Sequence, residues 1–136
     1  MSNNQWAYDL GQVIYSIVKK KAAEQLSSKY PNLYITNEDR STQEPSFPTI
    51  YVKELAPVEI GQTLDGQSIN GVRETIQIEV TSNKSRSDVR KVMAVVIDIM
   101  KNMRFQGTLL PEPQSDGEIY RSVARLSRVV GALDTL

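Results

Sequence analysis

Two residue types that carry much of enzyme chemistry are missing from this chain: it has no histidine and no cysteine. Without histidine there is no customary general base, no Ser-His pair and no source of the commonest zinc ligand. Without cysteine there is no disulfide framework and no thiolate metal site. An excess of one charge is lacking too. Sixteen Lys plus Arg balance sixteen Asp plus Glu, for a formal net charge of zero, which argues against broad electrostatic binding to nucleic acid or anionic lipid. The longest unbroken apolar run, Val92 to Ile97, is far shorter than the roughly 20 residues of a bilayer-spanning helix. The polar opening MSNNQWAYDL has no basic stretch followed by an apolar one, so no secretory signal and no membrane partner are expected, and folding in a cytoplasm is. Phosphate-cradling glycine motifs of the GxGxxG or GxxxxGK[ST] type are absent. Glu38, Asp39 and Glu44 lack the spacing and the glycine of a calcium loop and read as loop solvation. The expectation is no catalytic residue, no cofactor and no metal.

What is present is built around residues 72–104, a strand, a polar turn and a helix. Ile76, Ile78 and Val80 alternate with Gln77, Glu79 and Thr81, the period of a sheet with one covered face and one wet face. Ser85 with Asp88 fits a capping box at the start of a helix. Val89, Val92, Met93, Val96, Met100 and Met103 then form one stripe, widened by Ile97 and Ile99, opposite Arg90, Lys91, Asp98, Lys101 and Asn102. Such a helix lies across a sheet, and its methionines read as core.

At 136 residues a single domain, 1–136, is expected. A first helix runs from about Gln5 to Lys29, with Gly11 a weak spot. Trp6, Leu10, Val13, Ile14 and Ile17 share one face, and Tyr15, Val18, Ala22 and Leu26 define a second. Two readings stand for that second face: core, or a contact surface for another chain. Tyr30-Pro31 ends the helix, Leu33 to Thr36 suit a short strand, and residues 37–46 form a loop. Phe47-Pro48 opens a strand at Thr49 to Leu55, Pro57 marks an edge or bend, and Val58 begins another strand. Residues 61–71, GQTLDGQSING, carry the turn dipeptides Asp-Gly and Asn-Gly and read as the tip of a long hairpin arm at about 57–82. Residues 105–110 turn the chain, PEPQSDG is a loop, and 118–131 is the last strand. There Arg128 falls on the apolar face, so either a bulge flips it or the strand stops there. The expected class is α+β: a mixed or antiparallel sheet of four to five strands, two helices on one face, and a protruding β-hairpin.

The order helix, FPTIYVKEL, long hairpin, ETIQIEVTSNKS, amphipathic helix, MRFQGT and IYRSVARLSRVVG resembles the tail terminator (tail completion, head–tail joining) proteins of long-tailed bacteriophages, over roughly residues 6–131. The likeness is one of order and size, and no individual functional residue is carried over. It implies a non-enzymatic virion protein at the head-proximal end of the tail, assembled in the host cytoplasm. It also implies a ring of identical subunits, typically a hexamer, that caps the tail tube and stops its polymerisation. The partners would be the chain itself, the tail tube protein and a head–tail connector or stopper, with DNA at most passing through the ring channel.

A closed ring needs two different complementary surfaces on each subunit. The hairpin, with Ile60, Leu64, Ile69 and Val72, could add to a neighbour. Tyr15, Val18, Ala22 and Leu26 could supply packing, and Arg121 and Arg125 could meet acids on a neighbouring subunit. These ten residues are the candidate subunit interface. Against the last pair stands the reading that they are exposed arginines on a polar sheet face. Three other functions compete: another neck, head-completion or contractile-tail protein; a small-molecule-binding α+β domain; and a nucleic-acid module using Arg121, Arg125 and Lys19 to Lys21.

Overall fold

The computed structural model describes residues 4–38, 47–61, 66–117 and 119–136, without the side chains at 112, 114 and 116. The elements run α1(Gln5–Leu26), β1(Tyr34–Thr36), β2(Thr49–Glu54), β3(Val58–Ile60), β4(Gly71–Ser82), α2(Arg86–Asn102), β5(Gln106–Asp116) and β6(Ile119–Gly131). This is an α+β fold with one mixed sheet of six strands, in the order β1-β2-β4-β6-β5, with β3 also on β4. The β1–β2 pair is parallel and the other pairs are antiparallel. The strand beyond the four or five expected is β5, in a stretch that reads in sequence as a turn and a loop.

Alternation along β4 decides the layering. Val72, Ile76, Ile78 and Val80 are buried, while Gln77, Glu79 and Thr81 are half-buried on the other face. Ala124, Leu126 and Val130 continue the covered face on β6. Both helices close over it. From α2 come Val89, Val92, Met93, Val96, Ile99 and Met100, all buried, as the stripe in the sequence predicts. The buried residues of α1 are Ala7, Leu10, Ile14, Val18, Ala22 and Leu26, a 3- and 4-residue spacing drawn from both sequence faces.

Local signals fix the ends of α2. The Ser85 hydroxyl accepts from the Asp88 amide at 3.1 Å, one half of the predicted capping box. At the other end, the Arg104 amide donates to Lys101 and the Phe105 amide to Met100. Arg104 sits at φ 67°. That is a Schellman turn with an arginine where glycine is usual, sealed by contact between the buried pair Met100 and Phe105.

Three expectations are corrected. The segment 57–82 is not a protruding arm. β4 is the central strand, paired along its whole length with β6 and on its other side with β2 and β3, because its apolar face is needed under the helices. The β3–β4 ladder ends at the pair Ile60 and Gly71. PEPQSDG is not all loop, since β5 continues to Asp116. Pro111 and Pro113 are tolerated because β5 is an edge strand, where missing donors can face away from the partner. And β6 neither bulges nor stops at Arg128. The strand runs to Gly131 with Arg128 buried at 8% exposure.

Candidate functional site

Arg128 points under the sheet's cover because α2 ends there. Its Nη1 donates to the Met103 carbonyl at 2.9 Å, its Nη2 donates to the Thr135 carbonyl at 3.3 Å, and Asp134 lies 3.8 Å away. A cation on the carbonyl end of a helix is favourable both as a dipole partner and as a cap.

Directly across the ladder from Arg128 stands Glu74. It is fully buried, and neither carboxyl oxygen has a hydrogen-bond partner. Burial, and then the neighbouring Glu54 carboxyl, push its pKa to about 9, so it is a neutral acid at pH 7. Glu54 lies on the same sheet face at the strand edge, and a Cβ on Gly11 would overlap its carboxylate. Gly11 thus leaves room for an acid under α1, a reason for that glycine which the sequence did not show. Beside this pair, three residues (55–57) oppose two (74 and 75) between the registers Glu54↔Ile76 and Val58↔Arg73, a bulge in the edge strand. Glu54 also lines a cleft of about 440 Å³ with Tyr8, Tyr15, Tyr51 and Lys53, and among the described residues no cluster of three or more acids could hold a metal ion.

The second concentration of polar groups is a groove of about 260 Å³ between the first turns of α2 and the β5–β6 hairpin. Val89, Pro111, Pro113 and Tyr120 give it an apolar floor, and Arg86, Arg90 and Arg121 line it. The Arg86 guanidinium lies 6.0 Å from the centre of the Tyr120 ring, a cation–π distance. None of the three arginines forms an ion pair among the described residues; the salt bridge found there joins Arg128 and Asp134. Arg86 and Arg90 also sit at the amide end of α2, where the helix dipole already favours anions. The groove therefore sets three arginines over an apolar base, with Asp88 in the same first turn of α2.

The ten candidate interface residues scatter. Val18, Ala22, Leu26 and Val72 are buried in the chain's own core. Their burial withdraws them from any surface for a second chain, and resolves the second face of α1 as core for those positions. Tyr15 is half-buried and its hydroxyl donates to the Ile35 carbonyl at 3.2 Å, tying α1 to the edge strand β1. Ile60 and Ile69 are half-buried near the β3–β4 turn, and Leu64 lies outside the described residues. Arg125 is exposed, but its Nε donates to Gln77 at 2.8 Å, its direct cross-strand partner, so one acceptor comes from its own sheet. Arg121 is half-buried and lines the groove. Missed by sequence reasoning were Arg86 and Arg90. Arg90 looked like the solvated side of a helix and Arg86 like part of the polar turn before it, and only the fold brings Arg121 and Tyr120 beside them.

No helix of the described residues is long and apolar enough to cross a membrane. Searched against protein-family models and against curated proteins, the chain matches neither.

Proposed function

We propose that the chain is a structural, non-enzymatic subunit of a long-tailed phage. In this reading it is a terminator that forms a ring on the tail tube, stops the tube's growth and joins the tail to the head connector or stopper. The observation that carries the proposal is where the large exposed apolar side chains sit. Among the described residues, Leu109, Leu110, Ile119 and Val129, at 39%, 71%, 39% and 47% exposure, belong to the β5–β6 hairpin, while Tyr8, Val13, Val58 and Leu133 lie elsewhere. Single exposed leucines are ordinary, but four exposed aliphatic side chains on one hairpin, beside an arginine-lined groove, support a contact surface there. Because Pro111 and Pro113 remove donors from β5, packing of side chains suits this edge better than addition of a strand.

The order and sizes of the elements favour the terminator form of this reading. Another neck or head-completion protein, or the contractile-tail equivalent, would use the same surfaces at a different level of the stack. Added to polymerising tail tube protein from the same phage, the purified chain is expected to shorten the tubes and to occupy one end of each, seen by negative-stain microscopy. Tube lengths unchanged over a range of ratios would contradict the terminating role.

A further inference from the structure

The cleft of about 440 Å³ lies between α1 and the end of β2. Tyr8, Gly11, Gln12 and Tyr15 line it from the helix. Their spacing of three and four puts them on one side of α1, with Tyr8 and Tyr15 two turns, about 10.5 Å, apart along its axis. Gly11 stands between the two tyrosines. A Cβ there would overlap the Glu54 carboxylate, so the missing side chain lets that carboxylate lie against the helix at the level between the two phenols. Next to Glu54 is Glu74, fully buried, with both carboxyl oxygens unpartnered, and close enough that the two carboxyls act on each other. Unpartnered buried oxygens are rare in native folds, and a bound ion is one of the few reasons for them. The charged groups around the pair are engaged elsewhere or face away. Arg128, across the ladder from Glu74, is held by the Met103 and Thr135 carbonyls. Lys53 and Arg73 share the opposite sheet face with Gln77 and Val129. Asp9 accepts from Gln5 on its own helix. Lys19 sits one turn beyond Tyr15, its ammonium 5.8 Å from the centre of that ring. Among the described residues Glu54 forms no ion pair; the pair found there joins Arg128 and Asp134.

The geometry points to an alkylammonium group as the ligand of this cleft, its head on the Glu54 carboxylate beside Tyr8 and Tyr15. A carboxylate next to aromatic rings is the combination that takes an organic cation. A metal ion suits the site less well, since a hard cation such as calcium takes roughly six to eight oxygen ligands, and no third acid joins the two carboxyls among the described residues. The volume is within the roughly 300–1,000 Å³ of ligand clefts and exceeds what a bare head group fills. Ile76 also lines the cleft and suits the carbons of the chain behind the ammonium. A cation seated there supplies the counter-charge that the two acids lack. The chemistry is the same for a free alkylamine and for a lysine side chain on another polypeptide. The inference is independent of the tail reading.

Three probes test this on the isotope-labelled full chain, followed through amide NMR shifts: acetyl-lysine amide, n-butylammonium and the uncharged acetyl-norleucine amide. Saturable shifts are expected at Gly11, Tyr15 and Glu54 with a charged probe and not with the norleucine one. Saturation by both charged probes would mean that the head group and a short chain suffice; saturation by acetyl-lysine amide alone would assign the cleft to a lysine of a polypeptide. E54Q is expected to fold, because Glu54 is exposed and the change removes a charge beside Glu74. It should weaken binding about 10-fold or more, as loss of a contact to a charged group does. Tyr8 is 75% exposed, so Y8A should fold too and weaken binding about 2- to 5-fold. No saturable shift with either charged probe up to its solubility would overturn the site. So would equal shifts with the norleucine probe, which would show apolar contact only, or a folded E54Q that binds like the wild type.

Discussion

Glu74 is the residue whose environment departs furthest from what its chemistry prefers. It is buried, without a hydrogen-bond partner, beside the Glu54 carboxyl and across the ladder from an arginine already engaged with α2 and the C-terminal residues. In the unfolded chain it releases its proton near its ordinary 4.5, while in the folded chain it holds it to about 9. The folded state therefore binds the extra proton between those values. Stability from this group is fully present below about 4.5, falls as the pH rises to about 9, and is flat above. Glu74→Gln is expected to remove that slope, so that urea midpoints of variant and wild type diverge, in the variant's favour, from pH 5 to pH 8. Parallel midpoints would mean that Glu74 is ionised in the fold. Arg128→Leu tests the other side of the ladder. It strands the Met103 carbonyl and should cost about 1–3 kcal/mol, read as a lower denaturation midpoint with an unchanged slope against denaturant. Neither environment was legible in the sequence. Arg128 looked like a break in the period, because a helix end that needs a cap is a tertiary fact. Glu74, just before the alternating run, carries no local sign of the bulge opposite it.

At the scale of elements, strong periods were legible and turn chemistry was only partly so. The α2 stripe and the Ile76–Val80 alternation placed the core helix and the covered sheet face. The cap at Ser85 set the helix start to the residue. The β3–β4 turn was misjudged because its lack of apolar residues suggested an arm, whereas strand pairing on both sides of β4 holds its flanking strands within the sheet. Its described part is tied to the start of α1 by Asn4, and Asn70 donates to the Gly61 carbonyl at 2.8 Å. Deleting residues 63–70 leaves Gly61 and Gln62 between the paired Ile60 and Gly71, a two-residue hairpin connection of a favoured length. The shortened chain is expected to keep its circular dichroism spectrum and lose about 1–2 kcal/mol with the Asn4 contacts. Global unfolding would show instead that the turn is part of the core. β5 was legible least well. Its prolines read as a loop, and an edge position is invisible until the strand order is known.

At the scale of the molecule, composition gave a neutral chain and hid where its charges gather. Charge totals carry no positions, and Arg86, Arg90 and Arg121 around one groove, like the neighbouring carboxyls of Glu54 and Glu74, meet only in the fold. The α+β class, with a sheet under two helices, follows from the periods; that the sheet is mixed rather than antiparallel comes from the parallel β1–β2 pair. The surface proposed to face other proteins does not, because four of the ten side chains named for it, Val18, Ala22, Leu26 and Val72, are apolar residues that the chain uses for its own core. What remains outside, among the described residues, includes the hairpin with exposed Leu109, Leu110, Ile119 and Val129 and the arginine-lined groove. The most direct measurement is gold-labelled antibody against this protein on particles from the source lysate, imaged with the head–tail junction exposed. The account predicts label at that junction, on the head-proximal end of the tail. Intact particles that carry no label there, or carry it elsewhere, would contradict it.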